Sequence, residues 1–83
     1  MSIYPNPADD FLNVSYSLNE SSVVTFEILD LLGSTIGSPI ISTKQQAGEN
    51  VENVDLSDLP NGTYFLRIKT VDGSIVKKFI LAK

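Results

Sequence analysis

An alternation of apolar and polar residues with a period of two, broken about every 8 to 12 residues by turn formers, constrains this chain more than anything else in it. Leu12, Val14, Tyr16 and Leu18 alternate with Phe11, Asn13, Ser15 and Ser17, and Val24, Phe26 and Ile28 alternate with Thr25 and Glu27. Tyr64, Leu66 and Ile68 do the same against Phe65, Arg67 and Lys69. Successive side chains of an extended strand point to opposite faces, so each series sets one group inward and the other toward solvent. No stretch carries the 3.6-residue period of an amphipathic helix, and helix content near zero is expected. Seven short extended segments predict one all-β domain over residues 1–83, a sandwich of antiparallel strands in Greek-key-like order. Periodicity does not say which strand pairs with which.

The best-patterned strand follows a polar corner between Asp55 and Gly62, where Leu59, Gly62 and Tyr64 stand at the spacing L-x-x-G-x-Y. In immunoglobulin-like sandwiches a tyrosine just after such a turn sends its hydroxyl back to a backbone group a few residues upstream. The ring fills the end of the core while the hydroxyl satisfies a main-chain group that has no ladder partner. The expected fold is therefore immunoglobulin-like, with Leu59, Gly62 and Tyr64 in structural roles. Pro60 fixes φ, and Asn61 or Gly62 is able to take a positive φ. An ordinary hairpin entry is the competing reading of the same residues.

Eighty-three residues bury only about 60 to 65% of the unfolded surface, which leaves net stability on the order of 4 to 12 kcal/mol and little room for a deep pocket. Histidine, cysteine and tryptophan are absent. Disulfides, thiol nucleophiles, imidazole bases and most zinc or iron ligand sets go with them, and no cofactor is expected. Net charge is -4, unevenly placed: Asp9, Asp10, Glu20, Glu27 and Asp30 precede the first basic residue, Lys44, and Arg67, Lys69, Lys77, Lys78 and Lys83 close the chain. Nucleic-acid binding needs a dense basic surface, so no nucleic-acid partner is expected. No apolar run approaches the roughly 20 residues that span a bilayer, and no signal-peptide pattern opens the chain. Met1 leads straight into patterned sequence, as in a piece excised from a longer protein.

The remaining segments are weaker. Ile3 and Tyr4 form a strand end that runs into Pro5-Asn6-Pro7, where two prolines forbid helix. Leu29 to Gly33 closes the Val24–Ile28 strand, with Gly33 expected at positive φ. Thr35 to Gln46 is interrupted by Gly37 and Pro39 and reads as an edge strand carried by Ile40 and Ile41. Gly48 starts a further segment in which Val54 and Leu56 share a face. Asp72-Gly73 is a hairpin signal of the type I′ kind, returning the chain as Ile75 to Lys83.

Catalysis finds little support. Asp9-Asp10 is the one adjacent acid pair, and beside a double-proline turn such a pair more often caps or solvates a loop. Asp30, Asp55, Asp58 and Asp72 all fall at expected turns, where aspartate bonds nearby amides. Nothing resembles an Asp-x-Asp-x-Asp-Gly calcium loop, and no metal site is expected. Asn13, Asn19 and Asn61 match the glycosylation pattern about as often as composition alone gives. Lys77-Lys78 inside the apolar final strand is explained by protection of an exposed edge, with recognition as the alternative.

Four blocks then occur in order: Tyr4-Pro5-Asn6-Pro7-Ala8 with Asp10, Leu12 and Val14; Phe26 to Gly33; Leu56 to Phe65; and Lys77-Lys78-Phe79-Ile80. Over essentially its whole length the chain resembles the type A C-terminal sorting domain of the type IX secretion system of Bacteroidetes. It departs in having Ser34 where that family often has a basic residue, and Leu81-Ala82-Lys83 where it often has a short basic tail. The resemblance implies a non-catalytic label at the end of a larger cargo protein. It implies passage through the periplasm, hand-over to outer-membrane translocon components, and arrival at the cell surface or outside the cell, where a sortase-like peptidase removes the label. Translocon recognition is expected at Lys77, Lys78, Phe79, Ile80 and Leu81, read by strand addition and supported by Pro5, Asn6 and Pro7. The same edge admits a dimer between copies. The competing reading is a small carbohydrate- or protein-binding module of a secreted hydrolase or adhesin, for which Tyr4, Tyr16 and Phe65 are the candidate aromatics.

Overall fold

A computed structural model describes residues 1–36 and 41–83, with the main chain alone for 41–43. Seven strands run in order: β1 (Ser2–Tyr4), β2 (Phe11–Leu18), β3 (Ser22–Leu29), β4 (Ile41–Gln45), β5 (Gly48–Asp55), β6 (Gly62–Thr70) and β7 (Gly73–Leu81). They form two antiparallel sheets, β1-β2-β5 and β4-β3-β6-β7, and the described residues contain no helix. Gly37, Pro39 and Ile40, expected in the interrupted edge strand, lie outside the described residues; β4 does stand at a sheet edge.

The period-two series decide the core. Leu12, Val14, Tyr16 and Leu18 of β2, Val24, Phe26 and Ile28 of β3, and Tyr64, Leu66 and Ile68 of β6 are all buried, joined by Val54, Leu56, Phe79 and Leu81. Tyr16 meets Phe26 edge-on across the two sheets, with centroids 5.6 Å apart. Burying such rings removes the largest apolar areas from water, and it is this facing of the sheets that stabilises a chain without cross-links.

Turn chemistry closes the elements. After β3, Asp30 Oδ1 accepts from the amides of Leu32 (2.9 Å) and Ser34 (3.0 Å), and Gly33 takes φ 84° as expected. The β6–β7 connection corrects one expectation. Thr70 pairs with Gly73, so Val71 and Asp72 occupy the loop, and neither has positive φ, which a type I′ turn requires at both central residues. Gly73, at φ 128°, opens β7 instead. The register that results sets Ile75 beside Ile68 and Phe79 beside Tyr64. Apolar pairing across the strands outweighs the local turn preference.

Candidate recognition surface

The tyrosine corner forms. The Tyr64 hydroxyl donates to the Pro60 carbonyl at 2.5 Å, and its ring stacks on Phe79 with centroids 5.7 Å apart. Leu59 packs against the core and donates its amide to the Leu56 carbonyl at 3.1 Å. Neither Asn61 nor Gly62 uses positive φ, so the glycine is not required by backbone conformation. A Cβ at Gly62 would meet the Tyr64 ring at 3.7 Å, an ordinary contact.

The two ends of the expected recognition surface come together. Asn6 Oδ1 accepts from the Ile80 amide at 3.0 Å, the Ala8 amide donates to the Ile80 carbonyl at 2.7 Å, and the Ala82 amide donates to the Ala8 carbonyl at 2.8 Å. Ala8 thus bridges in parallel to Leu81 and is itself buried, while Tyr4-Pro5 and Asn6-Pro7 are both cis. The Pro5-Asn6-Pro7 turn covers the far end of β7, and that part of the edge is paired rather than open. Because Ile80 directs both its main-chain groups away from β6, alternation directs those of Ser74, Val76 and Lys78 the same way. Among the described residues nothing pairs with them.

The side chains divide accordingly. Phe79 and Leu81, expected in the recognition set, have their side chains buried in the core. Lys77, Lys78 and Ile80 are exposed, but Lys77 lies opposite Leu66 on the inner side of the sheet and Lys78 opposite Phe65 on the outer side. Of the aromatics that a sugar platform would use, Tyr16 is buried, and Tyr4 and Phe65 belong to different sheets.

Periodicity did not find three features. Glu27, only 7% exposed, receives Arg67 Nε and Nη2 and Lys69 Nζ, each at 3.0 Å. The hydrogen bond from Lys69, then that from Arg67, holds its carboxyl below the usual range against the opposing effect of burial. The shared outward parity of Glu27, Arg67 and Lys69 was the available signal; the register Glu27 to Arg67 was not legible. Lys83 fastens the chain end to the corner, its amide donating to Asn61 Oδ1 at 2.9 Å and its ammonium to the Ser57 and Leu59 carbonyls at 2.7 Å each. Asp55 accepts the Ser57 amide at 2.8 Å, which lowers its carboxyl pKa, and Lys83 adds a smaller push in the same direction. The third feature is the Tyr16 hydroxyl, buried with no hydrogen-bond partner among the described residues.

Among those residues no group of three or more acidic side chains stands close enough to hold a metal ion. A cleft of about 210 Å³ lies between the sheets beside Met1, Tyr16 and Ile75, and wider hollows of about 560 Å³ beside Lys44 to Ala47 and about 330 Å³ beside Ser15 and Glu49 stand more open to solvent. A two-layer β-sandwich with a strand edge unpaired among the described residues has the form of a recognition module that can be read by strand addition. The family model for the secretion system C-terminal sorting domain matches residues 2–82, and the chain belongs to that family, the sorting signals of type IX secretion. Such signals are non-catalytic in general, are attached to a cargo, engage the secretion machinery and direct export toward the cell surface or the extracellular space. No curated protein and no solved structure matches the chain significantly.

Proposed function

We propose that residues 1–83 form a label at the C-terminal side of a larger cargo protein, read by an outer-membrane translocon component and without catalysis of its own. The family match over residues 2–82 carries this reading. The cargo crosses the inner membrane by its own N-terminal signal, transits the periplasm of a member of the Bacteroidetes, and loses the label to a sortase-like peptidase that cuts upstream of the sandwich. The fold is immunoglobulin-like: β2 beside β5, and β6 between β3 and β7, match the pairing of that sandwich, and Tyr64 supplies its corner.

Recognition falls on the free main-chain edge of Ser74, Val76 and Lys78, flanked by the side chains of Lys77, Lys78 and Ile80 and buttressed by the Pro5-Asn6-Pro7 turn. Strand addition there supplies main-chain hydrogen bonds, and the alternate side chains supply selectivity. The same edge admits a second copy. Deleting residues 76–83 does not test this, because it removes Phe79 and Leu81 from the core and unfolds the label. Val76→Pro does, since proline at an outward-facing edge position removes only a free donor. The domain is fused behind a periplasm-exported fluorescent protein in a host with type IX secretion, alongside a translocon-deficient strain. Translocon-dependent export of the parent fusion, with Val76→Pro folded but retained, is the expected result. Equal export of both fusions overturns the edge reading, and retention of the parent in both strains overturns the sorting reading.

A further inference from the structure

The two strands of the first hairpin differ in length, and the mismatch leaves a gap. β1 covers β2 only from Asn13 to Ser15, with Ser2 opposite Ser15 and Tyr4 opposite Asn13, whereas β5 follows β2 along its whole length to Leu18. Among the described residues, nothing pairs with Tyr16, Ser17 and Leu18 on the side away from β5. Beside this open stretch lies the cleft of about 210 Å³, whose apolar walls are Met1, Tyr16, Leu18, Ile68 and Ile75. Ile75 points to the inner side of its sheet, opposite Ile68, yet is 52% exposed. An unpaired ladder and uncovered apolar surface therefore meet at one place, beside the first strand. A single added strand would pair the one and cover the other.

We propose that the cargo linker immediately preceding Met1 docks here, continuing β1 along β2 for two further residues and closing the cleft. The proposal rests on the reading that cargo joins the domain at its N-terminal side. Covalent continuity selects this occupant: the existing ladder puts Met1 opposite Tyr16, the residue before it opposite Ser17, and the next one back opposite Leu18. Strand alternation then assigns the side chains. Ile3 and Met1 already pack against the core from the inner face, so the linker residue two before Met1 also faces inward, over Leu18 and Ile75, and an apolar side chain is expected there. The residue directly before Met1 faces outward beside Ser17. The sandwich thus holds the end of its own linker, and the freely accessible linker, where a peptidase can bind an extended chain, begins only upstream of these paired residues.

The chain has no cysteine, so cross-strand disulfides report the register directly. In the full cargo protein one pair is placed at Ser17 (Ser17→Cys) and the residue directly before Met1; the calibrating pair is Ser2→Cys with Ser15→Cys, which the ladder already sets opposite each other. Under mild oxidation both pairs are expected to close to the same extent. Amide exchange within Tyr16–Leu18 is expected to be at least about tenfold slower in the full protein than in residues 1–83 alone. Closure of the calibrating pair alone, with unchanged exchange, overturns linker docking. Both readouts are made on purified protein, so they stand or fall independently of whether the domain directs secretion.

Discussion

Tyr64 joins two strands' worth of packing to a loop that has no ladder. Its ring stacks on Phe79 inside the core, and its hydroxyl satisfies the Pro60 carbonyl outside it. Tyr64→Phe keeps the ring and strands that carbonyl, so a loss of about 1 to 3 kcal/mol is expected in chemical denaturation, with the slope unchanged. An unmoved midpoint ends the claim. The tyrosine and its role were legible at residue scale, because the spacing to Leu59 and Pro60 is local. The lysine that closes the same corner was not: Lys83 reaches Ser57 and Leu59 from more than twenty residues away, and no local pattern announces such a contact. Gly62 teaches the complementary lesson. A glycine in a turn invites a positive-φ explanation, and the backbone here does not use it.

At the scale of elements, β7 has two unlike halves. From Ile80 onward its outer edge is paired by the Asn6–Ala8 segment, and before that it is open among the described residues. The Asn6 side chain stands in for a strand residue, accepting the Ile80 amide. Asn6→Ala removes that acceptor where water can partly replace it, so the expected destabilisation is small, about 0.5 to 1.5 kcal/mol, and local. Amide exchange separates the cases: Ile80 accelerates by roughly tenfold while Leu66 and Ile68 stay protected. Uniform acceleration across β6 and β7 instead indicates a role in the whole sandwich. Apolar and polar parity along β7 predicted which side chains would be buried only in part. Phe79 and Leu81 read as part of the recognition strip, and their burial depends on the sheet that lies opposite, which no period along β7 states.

Across the whole molecule, the uneven charge of the two chain halves becomes a difference between faces. The outer face of β4-β3-β6-β7 carries Lys44, Arg67, Lys69 and Lys78 with Glu27 as its acid on those strands, while the outer face of β1-β2-β5 carries Glu49 and Asp55 and no base. Glu27 is buried between two of those cations, and its depressed pKa links it to stability. A carboxyl that binds its proton less readily in the folded state than in the unfolded state contributes fully above the unfolded value, about 4.3, and loses that contribution as pH falls through the folded one. Acid denaturation of the parent should therefore steepen below about pH 4.3, and Glu27→Gln should flatten that fall while lowering stability near neutrality by about 1 to 2 kcal/mol, because Arg67 and Lys69 lose their partner. A variant with the parent's acid profile removes Glu27 from this role.

The amino-acid order alone was enough for the all-β class, the strand inventory, the buried residues of β2, β3 and β6, the tyrosine corner and the family. All of these rest on short-range regularities: a period of two, a turn residue, a four-residue spacing. Sheet membership, the pairing of the final strand with Asn6–Ala8, the Glu27 cluster and the gap beside β1 were decided only by the tertiary structure. Each depends on register between segments tens of residues apart, and register is set by how side chains of facing strands fill common space, a quantity that no single strand carries.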